Sequence, residues 1–298
     1  MNILIFGGSG FIGQALVKQL IQYNYNICII CRNTSKASQI FTHDNIEVKN
    51  IDIFNEQQLQ ELLPKYNVVI NLIGKLVEYK SNDFKKFHYL FPKLLLKYLS
   101  SKQHLIHLSA LGIEHSSKTS IYAKTKLDGE TEIINNSSNY NIIRPSIVFG
   151  ENDKFFNLFA KTIKKAPVFP LIGGGQAHFA LIYVEDLVKS IVHLIQNNNK
   201  YQNSIYEAYG YKNVSLKEVL QFIIKTLNTK TLLIHMPFTL AKIQAKMMNL
   251  CNIYLLTPDQ VRLLKYDNIA SNKYPSIEEL IGELHQYETI VPKYLKKG

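Results

Sequence analysis

The stretch FGGSGFIG, residues 6–13, follows the short apolar run NILIF and opens the amphipathic run FIGQALVKQLIQY, so three glycines at a spacing of three sit where a strand passes into a helix. Without Cβ atoms, Gly7, Gly10 and Gly13 permit a tight turn, a close approach of the backbone to a ligand, and close packing of the helix on the strand. Few folds place a helix so tightly against the strand it leaves. A parallel sheet wound by helices is the principal one.

The following residues keep that rhythm. Apolar, β-branched runs (NICIICR, IEVKNID, NVVINLIG, HLIHLSALG, YNIIRPSIVFG) alternate with helical stretches (NEQQLQELLPK, FKKFHYLFPKLLLKYLSSK, YAKTKLDGETEII). Runs with little polar alternation read as strands buried on both faces. The expected fold is therefore a doubly wound α/β parallel sheet, a Rossmann fold, over residues 1–150. From Glu151 the pattern loosens into mainly helical segments separated by Pro and Gly, which predicts a smaller helical cap over 151–298, with a segment near 176–195 crossing back to the first domain. Gly173 to Gly175 mark a tight turn, and the closing KYLKKG reads as a frayed tail.

Composition limits the function classes. Across 298 residues, 46% are apolar and 19% charged, which excludes a disordered chain. Lys and Arg outnumber Asp and Glu by 34 to 23, a net charge of +11 that favours anionic partners. No basic and aromatic motif of known geometry accompanies that charge, so nucleic acid is not the expected partner. Cys28, Cys31 and Cys251 have no metal-ligand spacing; Cys28 and Cys31 fall on opposite faces of one strand and read as buried, reduced thiols. No metal site is expected. No signal peptide precedes the first strand and no apolar run is long enough to span a bilayer, so the cytoplasm is the expected compartment.

A glycine turn between strand and helix can exist without a ligand. In a βαβ setting, however, the helix N-terminal N–H groups facing a bound pyrophosphate make a dinucleotide the natural occupant. Phe11 and Ile12 would then sit at the start of that helix, beside the phosphates. The second strand ends in Cys31-Arg32, with Lys36 a turn away and no acid before Asp44. The pattern resembles that of the short-chain dehydrogenase/reductase superfamily, and the resemblance implies that a base at this place accommodates a 2′-phosphate where an acid would bind a 2′-hydroxyl, which favours NADP(H) over NAD(H); the alternative is that Arg32 is a solvated loop cation.

The spacing G-x-x-G-x-x-G, in this context, resembles the extended or atypical branch of the short-chain dehydrogenase/reductase superfamily. That resemblance implies that Asp52 and Ile53 meet the adenine, that Asn71 to Gly74, including Leu72, line the cofactor, and that Pro145 and Ser146 lie beside the nicotinamide. It also implies catalysis by Ser109, Tyr122 and Lys126: the phenol exchanges a proton with the substrate oxygen, the lysine holds the nicotinamide ribose, and the serine polarises a carbonyl. Tyr122 and Lys126 are four residues apart and share a helix face. An unassisted phenol is a poor base at neutral pH, so the neighbouring ammonium is what would make it usable.

This chain departs from the superfamily in the helix before the serine strand, where FHYLFPKLL replaces an asparagine-containing stretch; His88 and Tyr89 lie near that place, and Pro92 is expected to start or kink a turn. His88 is either a substitute for the asparagine or a packed histidine. Asp186 falls near a helix start, and His178 faces either substrate or solvent.

Taken together, GGSGFIG, LSALG, YAKTK, RPSIVFGENDKFFN, PLIGGG, YVEDLV and LTPDQVRLLKYDNIAS cover nearly the whole chain. They resemble the family of the 9-type α-subcomplex accessory subunit of respiratory complex I and its bacterial relatives. That implies tightly held NADP(H), complex I subunits as partners and a position on the inner face of a respiratory membrane; the chain's own positive charge adds an anionic membrane surface to the expected partners. The other reading is a free-standing NAD(P)-dependent oxidoreductase or epimerase/dehydratase using Ser109, Tyr122 and Lys126 on a carbonyl, sugar-nucleotide or quinone-like substrate. The run PFTLAKIQAKMMNLCNIYLL places Leu240, Ile243, Met247 and Leu250 on one side and Lys242 and Lys246 on another. Such a helix either rests on a membrane or partner or packs in the core with solvated lysines. Lys75, Lys80, Lys85, Lys86 and Lys93 concentrate charge near the cofactor edge, as an anion-attracting cluster or as ordinary solvated lysines.

Overall fold

A computed structural model describes residues 1–250 and 256–296. Six strands follow in order: β1 (Asn2–Phe6), β2 (Asn26–Ile30), β3 (Ile46–Lys49), β4 (Val68–Asn71), β5 (His104–Leu108) and β6 (Tyr140–Pro145). With Ser204–Ala208 they form one seven-stranded sheet, in the order Ser204–Ala208, β6, β5, β4, β1, β2, β3. All the pairings are parallel. The expected doubly wound sheet is present, and its strand order reverses between β1 and β4.

Alternation along β1 divides the core. Ile3 and Ile5 point with Ile27 and Ile29 towards helix α1 (Phe11–Leu20) and the helix Val184–Gln196. Leu4 and Phe6 point the other way, with Cys28 and Ile30, towards Leu59, Phe91 and Leu95. Both faces are dry, which is why these strands carry no polar alternation. Cys28 and Cys31 lie on opposite sides, buried and free; Cys251 lies outside the described residues.

After Gly150 the chain is less helical than its sequence suggests. Val168–Ile172 pairs in parallel with Leu232–Met236, and Ser204–Ala208 lengthens the main sheet beside β6. The helix Val184–Gln196 packs against α1, and Ile277, Leu280 and Leu284 return to the same core. A second core forms around Phe156, Leu171, Val219, Leu220 and Val291. The expected frayed tail is instead a helix, Tyr287–Leu295, because Tyr294 and Leu295 are buried in that core and the Tyr294 hydroxyl donates to Asp153 at 2.6 Å. Lys297 and Gly298 lie outside the described residues.

The helix bearing His88 is one run from Asp83 to Tyr98 with a π-turn at Lys86–Leu90. Pro92 explains that turn. A continuous α-helix would need residue 92 to donate to the His88 carbonyl, but proline has no N–H and its ring crowds that oxygen. The freed carbonyl lies against Gly129 of the helix Ile121–Asn136, where a Cβ would come within 2.0 Å of it. Gly129 is therefore a close-approach glycine, and the two helices meet backbone to backbone.

Candidate functional site

The sequence-selected positions converge at the carboxyl ends of the strands. Gly7 follows β1 with φ +82°, and the Gly10 N–H closes the turn onto the Gly7 carbonyl at 3.0 Å. No side chain caps α1, so its first-turn N–H groups remain free of a capping side chain for a phosphate. A Cβ on Gly7 would stand 3.2 Å from the Leu72 carbonyl carbon, which brings the loop Leu72–Gly74 alongside the glycine turn. Phe11 lies under the turn after β6, where a Cβ on Gly150 would meet its ring at 3.2 Å. Ile12, at the same helix start, is part-buried against the first core.

Arg32 follows β2 on the exposed surface, and its guanidinium makes no ion pair among the described residues. Lys36 donates its backbone N–H to Asn33, which caps the short helix there. Asp52 is partly engaged in its own turn, accepting from the Phe54 N–H at 3.0 Å, while Ile53 packs against the core below.

Above these groups lies a buried polar cluster. Lys126, 3% exposed, donates to the Leu108 carbonyl at 2.8 Å, and a Cβ on Gly74 would stand 3.5 Å from its Nζ. Burial pushes its pKa down to about 8, opposed by the Glu130 carboxylate. Ser109 is buried, and its hydroxyl has no partner among the described residues. Such an orphan is costly unless a ligand completes it. With the glycine turn and the uncapped helix, it makes the residues present a fit for a dinucleotide.

Tyr122 is half-buried and meets the His88 ring edge-on at 5.2 Å and Phe84 at 5.7 Å. Burial, with a smaller contribution from the Asp259 carboxylate, pushes its phenol up to about 12. That is the opposite of the assistance a catalytic base requires. Asp259 also accepts from the Ser120 hydroxyl at 2.7 Å and from the Ile121 and Tyr122 N–H groups at 3.1 and 3.2 Å. It therefore fixes the start of the helix that carries Tyr122 and Lys126.

His88 proves to be a packed histidine that ties the site together. Its Nε2 accepts from the Lys75 N–H at 3.0 Å, placing its proton on Nδ1, which donates to the Thr125 hydroxyl at 3.1 Å. Burial, with Lys126 nearby, holds its pKa down at about 2, so it stays neutral. Asn71 braces the neighbouring loop in the same manner, since its Oδ1 accepts from the Ile73 N–H at 3.0 Å and its amide donates to His107 Nδ1 at 3.1 Å. Thr125 and His107 were not anticipated from the sequence, since neither sits in a recognisable spacing.

Other candidates are engaged elsewhere. Ser146 donates to Asn268 at 2.6 Å, Asp186 holds His285, and His178 pairs with Asp267 at 3.3 Å. Lys75 pairs with Asp83 and Lys93 with Glu132, while Lys86 lies over the Phe54 ring. Asp259, Asp267 and Asn268 give the run LTPDQVRLLKYDNIAS a physical purpose, because it stitches the Tyr122 helix and the turns after β5 and β6 to the second core. Among the described residues, no cluster fit to hold a metal is present and no helix is long and apolar enough to cross a membrane.

A model of the NAD dependent epimerase/dehydratase family matches residues 3–208. The chain is 26% identical over 295 residues to NADH dehydrogenase [ubiquinone] 1 alpha subcomplex subunit 9, mitochondrial, of Arabidopsis thaliana, covering 93% of this chain and 72% of that one. It is 25% identical to CDP-abequose synthase of Yersinia pseudotuberculosis, covering 75% of this chain and 83% of that one. In fold it resembles dTDP-glucose 4,6-dehydratase from Bacillus anthracis in complex with NAD, with a TM-score of 0.76 at 18% identity over 99% of this chain and 96% of that one.

Proposed function

The chain belongs to the NAD dependent epimerase/dehydratase family, and from that membership we propose that it is an NADP(H)-holding accessory protein associated with a respiratory NADH dehydrogenase, where the bound dinucleotide serves stability or regulation. The observation that carries this reading is a likeness to a complex I alpha-subcomplex subunit along 93% of the chain, a span that includes the stitching segment after Thr257.

Gly7, Gly10, Phe11, Ile12 and Gly13 hold the pyrophosphate, and Arg32 takes the 2′-phosphate that distinguishes NADP(H) from NAD(H). Asp52 and Ile53 flank the adenine, while Leu72, Gly74 and Pro145 flank the nicotinamide. The position is cytoplasmic or peripheral, against the inner face of a respiratory membrane. Residues 1–150 act as the dinucleotide domain and 151–298 as the smaller region that meets substrate or partner.

A second reading is favoured by the assembly of Ser109, Tyr122 and Lys126 at one site. When bound, the nicotinamide would supply or accept hydride. Tyr122 would exchange the proton at the substrate oxygen, Lys126 would orient the ribose, and Ser109 would polarise the carbonyl. Burial raises the phenol to about 12, so Tyr122 keeps its proton in the free site and would act there as a donor.

The test is native separation of a mild-detergent extract from cells that make the tagged chain. Co-migration with the NADH-oxidising assembly is expected. A tagged chain running alone as a soluble species with carbonyl reductase or epimerase activity would overturn the accessory reading in favour of the second.

A further inference from the structure

The helix Phe238–Leu250 is turned inside out. Its small residues, Ala241 and Ala245, are fully buried against Val261 with Phe238 beside them, while four of its large apolar residues face away: Leu240 is 52% exposed, Ile243 56%, Met247 63% and Leu250 84%. Positions 240, 243, 247 and 250 lie on one helical face. An ordinary surface helix points such residues inward and its lysines outward. The core-helix alternative is thereby removed for these residues; the part of the run at 251–255 lies outside the described residues.

The two-stranded sheet that packs on the buried side of this helix carries exposed apolar residues of its own. Leu232, Ile234 and Met236 share one face of their strand, and Met236 packs beside the buried side of the helix. Leu232 and Ile234, further along that face, are 61% and 47% exposed, and Val168, paired with Leu232, is 44% exposed.

Charge identifies the occupant. Between Glu218 and Asp259 the chain has no acidic residue across forty positions, whereas Lys225, Lys230, Lys242 and Lys246 fall within them. A second copy meeting this face about a two-fold axis would bring lysine towards lysine. An anionic bilayer instead offers headgroups for the lysines and an acyl boundary for the apolar side chains, the arrangement that holds a helix in the interfacial plane.

We propose that the outward face of Phe238–Leu250, with the exposed face of Leu232–Met236 beside it, seats the protein on an anionic lipid surface. This gives the membrane-associated reading a contact surface, yet its test needs no partner complex, so either can fail alone.

The experiment is co-sedimentation of the full chain with phosphatidylglycerol-containing vesicles and with pure phosphatidylcholine vesicles. Binding to the former only is expected, weakening with salt. Ile243→Asp with Met247→Asp should lower partitioning by about tenfold or more with an unchanged Tm, since both side chains are exposed. Lys242→Gln with Lys246→Gln should lower it by roughly fivefold per residue. Wild-type sedimentation by the double aspartate variant would overturn the proposal. So would no vesicle binding by the wild type, whether the face then proves to hold a protein partner or, through dimerisation abolished by Ile243→Asp, a second copy.

Discussion

Substituting Gly13 by alanine tests the junction on which the fold and the dinucleotide site both depend. A Cβ there would lie 2.4 Å from the Gly8 carbonyl oxygen, 2.5 Å from Gly8 Cα and 2.6 Å from the Gly7 carbonyl oxygen. Non-bonded carbon contacts settle near ~3.5–4.0 Å, so α1 would have to retreat from the turn by about 1 Å. The obstacles are backbone atoms of the turn, so no side-chain rotation relieves them. Overpacking of this kind costs about 1–3 kcal/mol, and backbone obstruction puts Gly13→Ala at the upper end. At ~2–4 °C per kcal/mol, Tm should fall by about 5–10 °C.

The same retreat withdraws the α1 N–H groups from the pyrophosphate, and a displacement of about 1 Å should weaken dinucleotide binding by roughly ten- to a hundredfold. Thermal unfolding and equilibrium titration with NADP(H) provide the two readings. Gly10→Val is the contrast. At Gly10 a Cβ would meet only the Gly7 carbonyl oxygen, at 3.2 Å, and the backbone has an ordinary φ of −77°. That variant should keep its Tm within about 2 °C and lose dinucleotide binding, because its side chain enters the phosphate path. A Gly13→Ala protein with wild-type Tm and wild-type affinity would refute the steric argument.

Arg32→Asp should move the ratio of NADP(H) to NAD(H) dissociation constants towards NAD(H), and an unchanged ratio would remove Arg32 from phosphate recognition. Tyr122→Phe should abolish any carbonyl turnover while sparing dinucleotide affinity; retained turnover would dismiss the tyrosine from its assigned role. Three buried histidines set the acid limit of the fold, with His88 held at about 2, His104 at about 4 and His107 well below its ordinary value, each chiefly by burial. The unfolded chain protonates them near ~6.5, so their stability is complete above that pH and is lost as pH falls towards 4, by up to about 4 kcal/mol per pH unit together. The urea midpoint should therefore drop sharply between pH 7 and pH 5, and equal midpoints would contradict neutral histidines in the fold.

The parts of this structure legible in the sequence are those built from local pattern. Apolar runs without alternation marked β1, β2, β4, β5 and β6, and the glycine spacing marked the turn before α1. The missed strands lack such a signal. Val168–Ile172 contains Pro170, which argues against a strand and is tolerated here only because the pair forms a separate two-stranded sheet. Ser204–Ala208 carries Glu207, buried because it accepts from the Ser271 N–H at 2.8 Å, a partner sixty-four residues away.

The site divides similarly. Ser109, Tyr122 and Lys126 stood out through a resemblance to a known motif, whereas the residues that brace them carry no such mark. Asp259 reaches the Tyr122 helix from 137 residues further along the chain, and His88 meets Lys75 and Thr125 from within the π-turn. Long-range capping and a local break in helix geometry leave no periodic trace. The inverted helix Phe238–Leu250 is a different case. Its pattern was plain, but which side faced the core depended on Ala241 and Ala245 fitting against Val261.

The central claim, a tightly held NADP(H) in a membrane-associated protein, is tested most directly by purifying the protein gently from separated membrane and soluble fractions, denaturing it, and identifying and quantifying the nucleotide released. Near-stoichiometric NADP(H) from the membrane fraction is the predicted result. NAD(H), or no nucleotide from a protein found only in the soluble fraction, would contradict it.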